Sequence, residues 1–169
     1  QRFPAAVVML DLATESIAGA SLAEVTTVLY YKALQWAGFS KIPKVAALER
    51  KFKGDGRYEE FEQAFEEKTG VTWLDHQDDP LVTDAVLPGL AHELDPSFFP
   101  TAESFRSSGD EAVPLLKDRI EDIINLVRAH SGKDYIVFVI DEVGQYVGGN
   151  ELKILDLQGM AENLKNIGE

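Results

Sequence analysis

Two short stretches of this chain are apolar without alternation, and they restrict its fold more than any other feature. Tyr135-Ile136-Val137-Phe138-Val139-Ile140 is an unbroken run of β-branched and aromatic residues, and Ala5-Ala6-Val7-Val8-Met9-Leu10 is a second apolar run. A strand with one face in water alternates apolar and polar side chains. A run without alternation fits a strand buried on both faces, as in a parallel sheet flanked by helices. The pattern therefore predicts two doubly buried strands, with residues 135 to 140 pairing in parallel with residues 5 to 10. Parallel strands need a crossover connection, and helical patterns fill the sequence between the runs. The expected fold class is α/β.

The second run stops at two adjacent acids, Asp141 and Glu142. In open α/β sheets ligands bind at the carboxyl ends of the strands, so these acids are expected to border a site. An apolar strand ending in Asp-Glu is the pattern of a Walker B element, in which the first acid holds Mg²⁺, usually through water, and the second polarises the water that attacks the γ-phosphate. The plainer account is that every buried strand must end, and paired acids end one well. The sequence continues Val143-Gly144-Gln145-Tyr146-Val147-Gly148-Gly149-Asn150. The string Asp-Glu-Val-Gly-Gln-Tyr resembles the Walker B region of the large P-loop ATPases of BREX (bacteriophage exclusion) systems, the BrxC/PglY group. The resemblance covers residues 134 to 166 and, more loosely, the first apolar strand. It implies an ASCE-type P-loop core, Mg²⁺ and ATP as cofactors, and a metal and cofactor role for Asp141. It further implies a catalytic role for Glu142, a cytoplasmic location and work alongside other phage-defence proteins. Gln145 and Tyr146 match the family string without a physical role to assign.

Nucleotide chemistry of this kind also needs Gly-x-x-x-x-Gly-Lys-Ser/Thr after a strand, so that backbone N–H groups cradle the phosphates and the lysine neutralises them. No stretch fits. Ser131-Gly132-Lys133 is followed by Asp134 and precedes its strand, and Gly54-Asp55-Gly56 lacks a lysine in register; both read as turns. In the ATPases it resembles, Walker A precedes Walker B. The expectation is an internal piece of a longer protein that contains Walker B and lacks Walker A, in keeping with a start at Gln1 and an end at Glu169 directly after an amphipathic pattern. The apolar runs fall far short of the roughly 18 to 20 residues of a membrane span. With no cysteine there are no disulfides or thiolate metal sites.

A formal charge of −13 argues against this chain gripping a nucleic-acid backbone by itself, because phosphate binding needs clustered Lys and Arg. The same charge serves solubility. Homo-oligomerisation stays open. A competing reading makes the chain a helical protein-interaction or scaffold module whose strands carry no nucleotide chemistry.

Periodicity divides the partial domain 1–169 into three parts: a strand and helix over 4–40, a helical insertion over 41–109, and a helix, the Walker B strand and a final helix over 110–166. In the first, Ser21 and Glu24 form a capping box, and Leu22, Val25, Thr26, Leu29, Ala33 and Trp36 share a helical face that ends near Gly38. In the second, Val45 to Lys53 and Arg57 to Lys68 are helical. Tyr58, Phe61, Ala64 and Phe65 lie on one side of the latter. Asp79-Pro80 starts a helix expected to bury Leu81, Val82, Ala85 and Val86. Pro88-Gly89, Asp95-Pro96 and Pro100 are expected to break the region around Phe98, Phe99 and Phe105, with Phe98 and Phe99 in a core. In the third, Leu116, Ile120, Ile123, Ile124 and Val127 recur at helical spacing. Asn150 is placed to cap a last helix with Leu157, Met160, Ala161 and Leu164 inward.

Other candidate motifs are weak. Gly19-Ala20-Ser21-Leu22-Ala23 lacks the final glycine of a nucleophile elbow. Asp75-His76-Gln77-Asp78-Asp79 offers metal-ligand types, but adjacent residues on a turn rarely converge on one ion, and a solvated cap for the next helix is preferred. His92-Glu93 lacks the second histidine of a zincin helix, and His130 suits the negative end of a helix dipole.

Overall fold

The structure, a computed structural model, describes residues 4–12, 25–108 and 116–168, with the side chains of residues 116 and 117 left out. The Ser21–Glu24 capping box, Leu22 and the 19–23 stretch lie outside the described residues, as does the side chain of Leu116. In chain order the elements are β1 (Ala5–Asp11), α1 (Val25–Trp36), α2 (Pro43–Gly54), α3 (Tyr58–Thr69), α4 (Trp73–His76), α5 (Pro80–Leu94), α6 (Ala102–Ser107), α7 (Leu116–Ser131), β2 (Tyr135–Asp141), α8 (Val143–Val147) and α9 (Glu151–Gly168). The chain is mostly helical, with a two-stranded parallel sheet among the described residues. It splits into two compact units, Gln1–Gly38 with Val113–Glu169, and Phe39–Ala112.

In the first unit β1 and β2 pair in parallel from Ala5↔Tyr135 to Asp11↔Asp141, the register expected from the two apolar runs. Helices α1, α7 and α9 pack on one another, and α1 and α7 lie against the strands. Buried in this unit are Ala6, Val8 and Leu10 of β1, Val25, Leu29 and Ala33 of α1, Ile120, Ile123 and Val127 of α7, and Met160 of α9. The expectation of doubly buried strands is corrected. Burial alternates along both strands, and Val7, Met9, Tyr135, Val137 and Val139 are between 41% and 67% exposed on the opposite face. The unalternating pattern is suited to two helical layers, and the described elements supply one.

Helix ends in this unit follow local chemistry. Gly38 (φ 90°) and Gly132 (φ 65°) adopt the left-handed conformation that lets a chain leave a helix, and the Gly132 N–H donates to the Arg128 carbonyl at 2.8 Å. Ser131-Gly132-Lys133 is thus a turn. The start of α1 is capped from a distance. The Asp156 carboxylate on α9 accepts from the Thr26 N–H (3.1 Å) and the Thr26 hydroxyl (2.9 Å), placing a negative charge where a helix leaves N–H groups unsatisfied. Asn150 caps α9 by accepting from Leu152 N–H at 3.0 Å. Of the four residues expected inward on α9, Met160 is buried, Leu157 and Leu164 are half-buried and Ala161 is exposed. Trp36, at the end of α1, meets His130 edge to face with 4.8 Å between ring centroids.

The second unit is helical and has its own core of Val45, Leu48, Phe52, Phe61, Phe65, Trp73, Leu87, Leu90, Phe99 and Phe105. Tyr58 and Ala64 pack at its margin. Gly54-Asp55-Gly56 is a turn, with Gly56 at φ 69°. Three expectations fail here. Pro88-Gly89 does not break the chain but lies inside α5, where a buried Pro88 removes one backbone hydrogen bond without ending the helix. That continuation rotates the buried face onto Thr83, Leu87, Leu90 and Ala91, leaving Leu81 (84% exposed) and Ala85 in solvent. Phe99 is core, whereas Phe98 is 54% exposed, its ring under the Lys51 ammonium at 4.9 Å. Lys51 itself bridges Asp95 at 2.6 Å, and this contact, with the Ser97 hydroxyl and Phe98 N–H, holds the Asp95 carboxyl far below its usual range.

Glu49 is fully buried among these aromatic residues. Its carboxylate accepts from Ser40 N–H (2.7 Å), Trp73 Nε1–H (2.8 Å) and the Tyr58 hydroxyl (3.3 Å), with no cation bonded to it among the described residues. Burial pushes its pKa above the ordinary 4.5, against the pull of the three donors. Since the folded state binds this proton more tightly than the unfolded one, the contribution of Glu49 to stability is lost as pH rises from 4.5 through the raised value. Glu49→Ala is expected to cost about 3 kcal/mol by stranding buried donors. Urea unfolding at pH 5 and pH 8 checks the linkage: Glu49→Gln should flatten the decline in stability with pH that the unmodified chain shows. An unchanged slope would refute the role given to Glu49.

Candidate functional site

The carboxyl ends of the strands bring two acids side by side. Asp11 and Asp141 are register partners, and neighbouring strands lie about 4.8 Å apart, so two carboxylates close the sheet at one level. Pairing runs one residue further, with the Leu12 N–H donating to the Asp141 carbonyl at 3.3 Å. Asp141 is exposed, and its Oδ1 accepts the Glu142 N–H at 2.8 Å. Asp11 belongs to no motif, and by itself an acid closing an apolar strand reads as strand termination. The register of the two apolar runs is the signal that pairs it with Asp141.

Glu142 turns the chain from β2 into α8. Its backbone is left-handed (φ 55°, ψ 23°), and it is the one non-glycine residue with positive φ among the described residues. For a side chain larger than glycine this conformation costs about 1 to 2 kcal/mol. The Glu142 carbonyl accepts from Tyr146 N–H (3.1 Å), starting α8, while its half-buried carboxylate has no hydrogen-bond partner among the described residues. Strain held at an unpartnered acid is an outlier of the kind that gathers at functional sites.

The rest of the string is structural. Gln145 is exposed on α8. Tyr146 is half-buried beneath Lys153, whose ammonium sits 3.9 Å from the ring centroid and donates to the Tyr146 carbonyl at 3.2 Å. Burial, and secondarily the charge of Asp156, hold the Tyr146 phenol above its ordinary pKa. Asp156 also caps α1, so Tyr146 and Lys153 fix α8 onto the framework that positions Glu142.

The acidic run in the second unit behaves as a cap. Asp79 accepts from Leu81 N–H at 3.0 Å and starts α5. Asp78 accepts from the Ser40 hydroxyl and Lys41 N–H. His76 Nδ1 lies 3.3 Å from the Thr72 carbonyl oxygen, and His92 Nδ1 lies 2.8 Å from that of Phe99. Among the described residues no group of three or more His, Cys, Asp or Glu is arranged to hold a metal ion, and no helix is long and apolar enough to cross a membrane.

Backbone strain at Glu142 can be measured. Glu142→Gly should leave stability unchanged or raise it by up to about 1 kcal/mol, while Glu142→Val, β-branched at a left-handed position, should lower it by about 1 kcal/mol or more. Guanidinium midpoints that place the valine variant at or above the glycine variant would rule out the left-handed turn.

No protein-family model matches the sequence, and no solved structure matches the chain significantly.

Proposed function

We propose that residues 134–150 form the Walker B segment of an ATPase. In this reading Asp141 holds Mg²⁺ through water, and Glu142 orients and polarises the water that attacks the γ-phosphate of ATP. The chain then belongs to a longer P-loop protein of the BREX type, cytoplasmic and working with other phage-defence proteins. One observation carries this proposal: an unpartnered, strained glutamate directly follows an aspartate at the carboxyl end of a parallel strand pair, where α/β sheets place ligands.

The donor set agrees with Mg²⁺ in this role. Such an ion is commonly held by one or two carboxylates with retained waters and substrate phosphates, and Asp141 with Asp11 beside it supplies that number. Bound with ATP, the ion supplies charge neutralisation at the phosphate oxygens. The task of this chain is to fix the Asp141 carboxylate, which the Glu142 N–H does, and to present the Glu142 carboxylate to a water.

Because the sequence has no phosphate-cradling glycine loop, the chain by itself should show no measurable Mg-ATP binding by calorimetry; micromolar binding would contradict the proposal. In a longer protein that joins it to a P-loop, Glu142→Gln should reduce hydrolysis about a hundredfold or more with ATP binding retained. Asp141→Ala should instead weaken Mg-ATP binding. Turnover by Glu142→Gln within a factor of about two of the unmodified enzyme would remove Glu142 from catalysis.

A second reading, an interaction module without nucleotide chemistry, draws on the separate core of the helical unit and on the exposure there of Leu74, Leu81 and Phe98. It is favoured if both acid variants leave hydrolysis intact and changes at those three apolar residues abolish partner binding.

A further inference from the structure

Strand β2 is hydrogen-bonded along one side to β1, and no strand lies along its other side among the described residues. A cavity of about 300 Å³ opens there, lined by Ile124, Arg128, Ile136, Phe138, Leu164 and Lys165 with Asp134, Tyr135 and Gly168. Its walls include both Tyr135, from the open face of the sheet, and Ile136 and Phe138, from the helix-covered face, and no residue of β1. A cavity that meets both faces of one strand and none of its neighbour wraps around the free edge of that strand. Among the described residues the site therefore offers a strand edge without a neighbouring strand, an apolar hollow and two cations at the amino end of β2. That combination accepts an extended strand with apolar side chains and an acidic end.

The chain contains such a segment. We propose that two copies of this protein associate by antiparallel pairing of their β2 strands about a two-fold axis near Phe138. Direction is fixed by charge. In an antiparallel arrangement centred on Phe138, Asp141 of the second copy stands opposite Tyr135, and Glu142 of the second copy opposite Asp134. Both acids thereby arrive beside Arg128 and Lys165, two cations that outweigh the single acid Asp134 lining the same end of the cavity. Arg128 spends its Nε on the Asp134 carbonyl at 3.2 Å, leaving both Nη groups for a carboxylate, and Lys165 makes no ion pair among the described residues. Parity agrees as well. Opposed residues on antiparallel strands point to the same face, so Ile136 meets Ile140 of the second copy on the helix-covered side and the apolar row continues through the interface. A two-fold axis uses every contact twice, and the ends of the strand are self-complementary. The pairing engages the same two acids that the ATPase reading assigns to Mg²⁺ and water, so the two uses exclude one another at any moment, and sedimentation tests the association while hydrolysis tests the other.

One strand edge with a small hollow buries less than the roughly 800 Å² per partner of a standard interface, so dissociation constants on the order of tens of micromolar are expected. Sedimentation of the whole chain at about 0.15 M salt, where screening reduces the repulsion between two copies of charge −13, should show a monomer–dimer equilibrium. The decisive test uses two charge-reversed variants. Arg128→Glu with Lys165→Glu makes both ends of the pairing acidic, and Asp141→Lys with Glu142→Lys makes both ends basic. Each variant alone should dimerise at least tenfold more weakly than the unmodified chain. An equimolar mixture should form a heterodimer, because each basic end then meets an acidic one. Circular dichroism confirms that both are folded, and hydrogen exchange should show β2 amides gaining protection with concentration. A chain that stays monomeric at several hundred micromolar overturns the proposal. So do variants that dimerise as well alone as mixed, which would place association on the exposed sheet face, and β2 amides protected equally at all concentrations, which would mean the chain covers its own edge.

Discussion

Parallel pairing of two strands separated by residues 12–134 is the constraint from which the first unit follows. A parallel pair has no hairpin available, so the chain must leave one end of the sheet and return to the other before a ladder bond can form. The return here uses α1 on the way out and α7 on the way back, and these two helices cover the sheet on the face they share. The whole helical unit Phe39–Ala112 is placed within that crossover. Closing so long a connection carries an entropic cost that grows slowly with length, which is why an excursion of this size is compatible with a two-stranded pairing. The pairing also creates the chemistry, because equal strand ends in a parallel register put Asp11 and Asp141 at one level.

Within the helical unit a buried carboxylate has an organising role. Glu49 joins the segment entering the unit, through Ser40, to α3 through Tyr58 and to α4 through Trp73. Three donors from three elements converge on two oxygens. A hydrophobic residue of similar volume would save the desolvation of a charge, but it would leave those donors unsatisfied in an aromatic core. Asp78 repeats the arrangement at the rim, taking the Ser40 hydroxyl and Lys41 N–H. The entry segment is thereby held by two acids, Asp78 from the run read as a helix cap and Glu49, which no motif signals.

What the sequence made legible were features decided by local rules. The strands, their register, the turns at Gly56 and Gly132, and the caps at Asp79 and Asn150 each depend on a few neighbouring residues and were expected. Features decided by remote partners were not. An apolar run cannot report how many helical layers will cover it, so the open face carrying Val7 and Val139 was misjudged. Pro88 has a strong local tendency to end a helix, yet packing of Leu87, Leu90 and Ala91 into the aromatic core carries α5 through it. At the site, the adjacency of Asp141 and Glu142 was plain. No local pattern announces the strained backbone of Glu142 or the service of Asp156 to α1, a partner distant in the chain.

The positions of the two tryptophans have a spectroscopic consequence. The sequence contains Trp36 and Trp73 and no other tryptophan, and each unit holds one. Trp73 is sealed within the aromatic core and bonded to Glu49, while Trp36 lies half-buried against His130 at the end of α1. Indole emission shifts to the blue in apolar surroundings and responds to a neighbouring charge. Trp73 therefore reports the integrity of the helical unit, and Trp36 reports that of the sheet unit. Replacing either indole by phenylalanine turns the intrinsic fluorescence of this cysteine-free chain into a label for the other unit, so that the folding of the two can be followed separately without an added dye.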